Sequence, residues 1–211
     1  MKDLIILGTG VHAAEMAEIV ARVNAVKPTW NLRGYLAPPS HAEQVGSEIN
    51  GVSVLGTPEA AADHPHAACV PAFGAGDWID TLQERWTSLV DPSAFVSRTA
   101  QLGAGCVIYP NCFIGMNARL ADRVFSLAGS IINHDVVLED RVSLCSGVTL
   151  AGHVHVEPDA YLGQACTVRQ FLRVGAGSLI GMGAVVVADV PPHSVMAGNP
   201  ARRVRARAEG Q

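Results

Sequence analysis

A six-residue beat runs through the second half of this chain and limits its fold more than any other feature. Stepping by six from Val90 gives Val96, Leu102, Ile108, Ile114, Leu120, Ser126, Ile132, Leu138, Leu144, Leu150, Val156, Leu162, Val168, Val174, Ile180 and Val186, aliphatic at every step except Ser126. A second register four places later, from Ala94 through Cys106, Val124, Val148 and Cys166 to Val190, is mostly small. Period six matches neither a helix nor a long alternating strand. It matches a solenoid in which every third hexapeptide returns to the same face, so that each large aliphatic side chain stacks on that of the next coil. Gly103, Gly115, Gly163, Gly175, Gly181 and the pair Pro110-Asn111 are expected at the corners. The frame never slips, so no loop should interrupt the coils. Aromatic residues are only 5% of the chain. The core must therefore come from the ladder, whose buried members are each worth about 1.5–3 kcal/mol.

The N-terminal segment reads differently. Leu4 to Leu7 is a short apolar run, Gly8-Thr9-Gly10-Val11-His12-Ala13 follows, and Ala14 to Val23 is amphipathic. This is strand, tight turn and helix, the opening of a Rossmann-like unit, with Ala13 in place of the third glycine of GxGxxG. Such a turn serves equally as structure or as a phosphate cradle. Further strands are expected at Leu32–Leu36 and Ala68–Phe73, and helices near Pro58–Ala62 and Asp77–Leu89. A dinucleotide is not expected, because the unit is short and no acidic residue follows the second strand, where Gly34-Tyr35-Leu36 runs into Ala37-Pro38-Pro39. The organisation predicted is an α/β Rossmann-like nucleotide- or sugar-binding domain (1–88), a parallel β-helix (89–190) and a capping segment (191–211).

A net charge of -4 gives no reason to expect nucleic acid or an anionic membrane as partner. Cys69, Cys106, Cys112, Cys145 and Cys166 show no CxxC spacing and fit reduced thiols. The first residues lack a cleavable-signal pattern, so a cytoplasmic location is expected.

The glycine turn, the short α/β unit, the hexapeptide helix bearing Asn133-His134-Asp135 and the closing Gly198-Asn199-Pro200-Ala201-Arg202 together resemble the hexapeptide-repeat sugar O- and N-acetyltransferases that modify sialic acid, bacillosamine and perosamine. The resemblance implies a left-handed parallel β-helix, acetyl-CoA as co-substrate without a metal, and a homotrimer acting on a nucleotide-linked sugar. It makes His134 the general base, Asp135 its orienting partner and the Gly152 amide the oxyanion donor. Ser143, Gly152, Gly163, Gly181 and Met182 fall at coenzyme positions, and Gly8, Gly10, His12, Tyr35 and Gly74 at substrate positions. Ala37 and Pro38 replace the acidic pair that contacts the base of the nucleotide in relatives, Leu127 replaces an asparagine and Ser143 a second histidine, so the acceptor stays open. Arg202, Arg203, Arg205 and Arg207 form a basic tail, read as a solvated terminus or a contact to CoA phosphates. Two rival readings remain. In one the chain is a non-catalytic nucleotide-sugar binder or regulatory trimer; in the other His134, His153 and His155 bind zinc, as in γ-carbonic-anhydrase-type lyases.

Overall fold

The structure is a computed structural model that describes residues 1–207. Its backbone divides into two compact units, Met1–Pro92 and Ser93–Gln211.

In the first unit, β1 (Lys2–Leu7), α1 (Val11–Val26) and β2 (Trp30–Leu36) form a parallel strand–helix–strand. β3 (Glu48–Ile49), β4 (Val52–Gly56) and β5 (Ala68–Pro71) complete a five-stranded sheet in the order β3-β4-β2-β1-β5. All neighbours are parallel except β3 and β4. Leu4 to Leu7 have no exposed surface because β1 is central and both of its faces are covered. Ile5, Leu7, Leu36, Cys69 and Ile79 make one core cluster. Pro58–Asp63 and Asp77–Arg85 are 3-10 rather than α-helical, and β3 and β4 form a hairpin that the sequence reading did not include. Arg22 on α1 makes a bidentate contact with the fully buried Asp91, Nε–Oδ2 2.6 Å and Nη2–Oδ1 3.0 Å.

The second unit is a coil of two-residue strands arranged on three parallel faces. Each strand pairs with the one eighteen residues on, as in Ile114 to Ile132, Leu120 to Leu138 and Ser126 to Leu144. From Ile108 to Val186 every ladder residue is at most 3% exposed. Ser126 also lies inside, within 3.6 Å of the Cys112 Sγ. The five cysteines are buried and unbridged; burial pushes the Cys166 thiol up to about 12. The Ser194–Ala197 strand continues one face, and Arg202–Ala206 returns antiparallel beside it.

Asn111 turns a corner as expected, but the glycine corners differ from expectation. From 105 to 183, every sixth residue adopts a left-handed backbone with φ of 55–71°, including Asn117, Asp135, His153, Ala165 and Phe171. These, and not Gly103, Gly115, Gly163, Gly175 and Gly181, turn the chain. Those glycines sit one place after a ladder residue, pressed against the next coil: a Cβ on Gly163 would lie 2.8 Å from the Ile180 carbonyl oxygen. A left-handed backbone costs an L-residue about 1–2 kcal/mol. The coil supports that strain through the hydrogen bond each corner amide from Arg123 to Gly183 donates to the coil before, such as Asp135 N to Met116 O at 2.8 Å. No helix among the described residues is long and apolar enough to cross a membrane.

Candidate active site

Eighteen-residue stacking places chemistry in columns. The corner between the Ile131–Ile132 face and the Val137–Leu138 face carries Asn117, Asp135, His153 and Phe171 in successive coils. The place just before it carries Met116, His134, Gly152 and Gln170.

His134 Nδ1 lies 2.8 Å from Asp135 Oδ2, and Asn117 Nδ2 donates to the other carboxylate oxygen at 3.1 Å. These two hydrogen bonds, and the nearby His153 charge, hold the Asp135 carboxyl below its usual range. The carboxylate therefore fixes the ring orientation of His134 and leaves Nε2 for chemistry. The other side of the ring lies against Gly152: a Cβ there would stand 2.5 Å from His134 Cε1 and 2.7 Å from Nε2, so only glycine admits the imidazole in this position. The Gly152 carbonyl accepts from Phe171 N at 3.2 Å, while its amide donates to no carbonyl among the described residues. His134 is 58% exposed, at the edge of a 280 Å³ cleft lined by Gly152, His153, Gln170 and Phe171.

His153 is the residue whose place the sequence left least defined. Its ring meets that of His134 edge-on at 5.2 Å and stacks on Phe171 at 4.9 Å, and its Nε2 is 3.8 Å from Asp135 Oδ2. The eighteen-residue spacing from Asp135 was the available signal. His155 does not join this pair, which corrects the three-histidine zinc set: its Nε2 meets Glu139, and its Nδ1 lies 3.1 Å from Arg173 Nη1. A strand residue two places on points from a different face.

The coenzyme candidates do not cluster around His134 alone. Gly152 lies under it; Gly163 and Gly181 are one coil apart in a separate column, followed by Met182, which is 76% exposed. Ser143 is half-buried on the face it shares with Tyr161. The tail arginines lie on or beside the returning strand, where Arg207 Nη1 donates to the Gly177 carbonyl at 3.2 Å.

In the first unit Gly8, Gly10, His12 and Gly74 converge on a 470 Å³ cleft beside Ser40 and Trp78. Tyr35 does not join them: its side chain is fully buried, away from that lining, and its hydroxyl has no hydrogen-bond partner among the described residues. As a β2 residue enclosed by neighbouring strands and α1, it is core, and burial pushes its phenol up.

No family model matches the chain. Serine acetyltransferase 4 of Arabidopsis thaliana is 34% identical over 119 residues, 53% of this chain and 32% of that protein. The chain spans about a third of the length of the curated relatives it matches. Among solved structures, the acetyltransferase domain of PglB from Neisseria gonorrhoeae is 26% identical with a TM-score of 0.84, over 97% of this chain and all of that one. In sequence and in fold the chain is similar to hexapeptide-repeat acyltransferases. PerB of Caulobacter crescentus, solved with CoA and GDP-perosamine, shares the fold at TM-score 0.85 and 24% identity, over 97% of this chain and 98% of that one. The PglB domain has also been solved with acetyl coenzyme A. Both likenesses run through the α/β unit as well as the coil.

Proposed function

We propose that the chain is an acetyl-CoA-dependent sugar acetyltransferase, acting on an amino or hydroxyl group of a nucleotide-linked sugar with His134 as general base. One observation carries this reading: an exposed imidazole has one nitrogen fixed by a carboxylate and the rest of its ring bedded on a glycine that no other residue could replace.

The acceptor must lose a proton as it attacks the thioester carbonyl. His134 Nε2 takes that proton while the bond from the acceptor nitrogen or oxygen to the acetyl carbon forms. Asp135 stabilises the resulting imidazolium. The Gly152 amide, one coil away, serves the developing oxyanion. When the carbon–sulfur bond breaks, the CoA thiolate recovers the proton from the imidazolium, which restores the base. Ser143, Gly163, Gly181 and Met182 are assigned to the coenzyme.

The first unit, read as a Rossmann-like domain over residues 1–88, holds the nucleotide-linked sugar in the cleft of Gly8, Gly10, His12 and Gly74. The β1–α1 turn supports this: Gly8 has φ of 130°, which suits a residue without Cβ, and the N-terminus of α1 follows directly. Residues 89–190 form the catalytic helix and 191–211 its cap, of which 208–211 lie outside the described residues. A homotrimer and a cytoplasmic setting complete the proposal. They rest on the family resemblance and, for the setting, on the acetyl-CoA donor and five unbridged thiols.

The test is CoA release from acetyl-CoA across a panel of free and nucleotide-linked amino and hydroxy sugars. At least one acceptor should support turnover that His134→Ala reduces by about 10²–10⁴-fold, the usual worth of a general base. Failure of every acceptor, or full activity in His134→Ala, refutes the reading and favours the non-catalytic binder.

A further inference from the structure

Catalysis as proposed uses His134 and Asp135 and gives His153 no task, yet His153 is held with care. Its backbone is in the left-handed corner with φ of 60°, and behind its ring lies Phe171, stacked within 10° of parallel. Phe171 is 71% exposed and left-handed itself. A bulky side chain is a rare occupant of that conformation. In front of the ring stands Asp135 Oδ2, already 2.8 Å from His134 Nδ1. Two imidazoles from adjacent coils thus converge on one carboxylate oxygen, while Asn117 engages the other oxygen.

We propose that His134, Asp135 and His153 form a binding site for a divalent transition-metal ion of the zinc class, and that its occupation silences acetyl transfer. One donor atom from each residue lies within 4.8 Å of those of the other two, and no other three His, Cys, Asp or Glu side chains converge in this way among the described residues. Two imidazoles and a carboxylate suit zinc, copper or nickel and do not suit magnesium or calcium, which require oxygen-rich shells. Donors around tetrahedral zinc stand about 3.3 Å apart, as Zn–N distances near 2.0–2.1 Å imply. The site must tighten from its present separation. Both imidazoles are about half exposed and can turn to do so, while the backbones of Asp135 and His153 stay fixed by the coil. The neighbouring histidine makes a useful contrast: His155 is occupied by Glu139 and lies beside the Arg173 cation, which would repel a metal.

The inhibitory part rests on the reading of His134 as the base. A metal ion bound through His134 Nδ1 places the ring's remaining proton on Nε2, so the lone pair that would accept the acceptor's proton is lost, and the carboxylate shifts from orienting the ring to neutralising the ion. Zinc would then act as a reversible brake competing with a proton for the same ring.

The experiment titrates zinc into the metal-free full chain against a chromophoric chelator, with no substrate present. One saturable site per chain is expected, with shifts in the ring resonances of two histidines by nuclear magnetic resonance. His153→Asn should weaken zinc binding by about 10–100-fold or more, since loss of even an outer partner of a metal site has that effect. Asparagine tolerates the left-handed corner, as Asn117 does one row below Asp135, so the fold should persist. The wild-type chain should lose acetyl transfer with the same zinc midpoint, and a chelator should restore it. Absence of a saturable site, unperturbed histidine resonances in the wild-type chain, or unchanged affinity in His153→Asn overturns the metal site. Saturable binding with undiminished transfer overturns the inhibition. If the metal-free chain acetylates no acceptor, the transferase reading has failed by itself, and the substrate-free titration still decides the site.

Discussion

Replacing Gly152 by alanine isolates the position of His134 from everything else in the molecule. The added Cβ would stand 2.5 Å from Cε1, 2.7 Å from Nε2 and 3.2 Å from Nδ1 of the imidazole, where ordinary contact begins near 3.4 Å. The ring must therefore retreat by about 1 Å, and a misplacement of that size costs on the order of 10²-fold in rate. That is about 2.7 kcal/mol of activation free energy. The fold should not suffer: Gly152 lacks the positive φ that would strain alanine, and glycine-to-alanine changes at compatible sites are neutral or stabilising by about 0.4–1 kcal/mol. The assay is CoA release under saturating donor and acceptor, paired with thermal melting. Turnover reduced about a hundredfold at an unchanged melting temperature is the expected result. Activity within about threefold of the parent would show that the ring position over Gly152 is not the one that works, and the argument for His134 would lose its geometric basis.

Three further outcomes follow from other parts of the molecule. Tyr35→Phe removes a buried hydroxyl that has no partner, so it should raise stability by up to about 1 kcal/mol and leave the acceptor KM unchanged; a raised KM would return Tyr35 to the substrate site. Ala165→Gly should stabilise by about 0.5–1 kcal/mol, against the usual rule, because Ala165 holds φ of 55° on an exposed corner; a lower melting temperature would count against the strain assigned there. Glu157 is kept below the usual carboxylate range first by its hydrogen bond from Arg173 and then by the Ala176 amide. Its contribution to stability is thus present above the unfolded value near 4.3 and disappears as pH falls through the lower folded value. Melting curves of the parent and Glu157→Gln should differ at neutral pH and converge in acid; a gap that stays constant with pH would refute the assignment.

The coil was legible because a repeating backbone forces a repeating sequence, and the ladder from Ile108 to Val186 lies inside as its period implies. The closeness of Gly152 to His134 followed from spacing, while the pairing of His134 with Asp135 came from the resemblance. The corner chemistry did not. Asn, Asp, Arg, His, Ala and Phe all occupy the left-handed place, so residue type hid the turn that a run of glycines would have announced. Gly103, Gly115, Gly163, Gly175 and Gly181, the glycines expected at the corners, report close approach between coils instead. In the first unit the cleft residues Gly8, Gly10, His12 and Gly74 came from the turn motif and the resemblance, while Tyr35 misled because a tyrosine on a central strand carries the same letter whether its ring faces a ligand or a helix. The companionship of His153 and Phe171 needed coordinates, since an eighteen-residue interval says which residues are stacked and not which way a ring turns.

The strict recurrence of left-handed corners sets what this molecule can tolerate in its length. Adding one complete turn of eighteen residues would extend the prism by about 4.8 Å and leave all side-chain directions as they were, because strand neighbours repeat at that distance. Adding a single residue inside the prism would rotate the following aliphatics toward solvent and carry the polar corner groups inward. Growth is therefore quantised, and a lineage built on this scaffold can readily change chemistry at an edge by substitution but can change the height of that edge only in whole storeys.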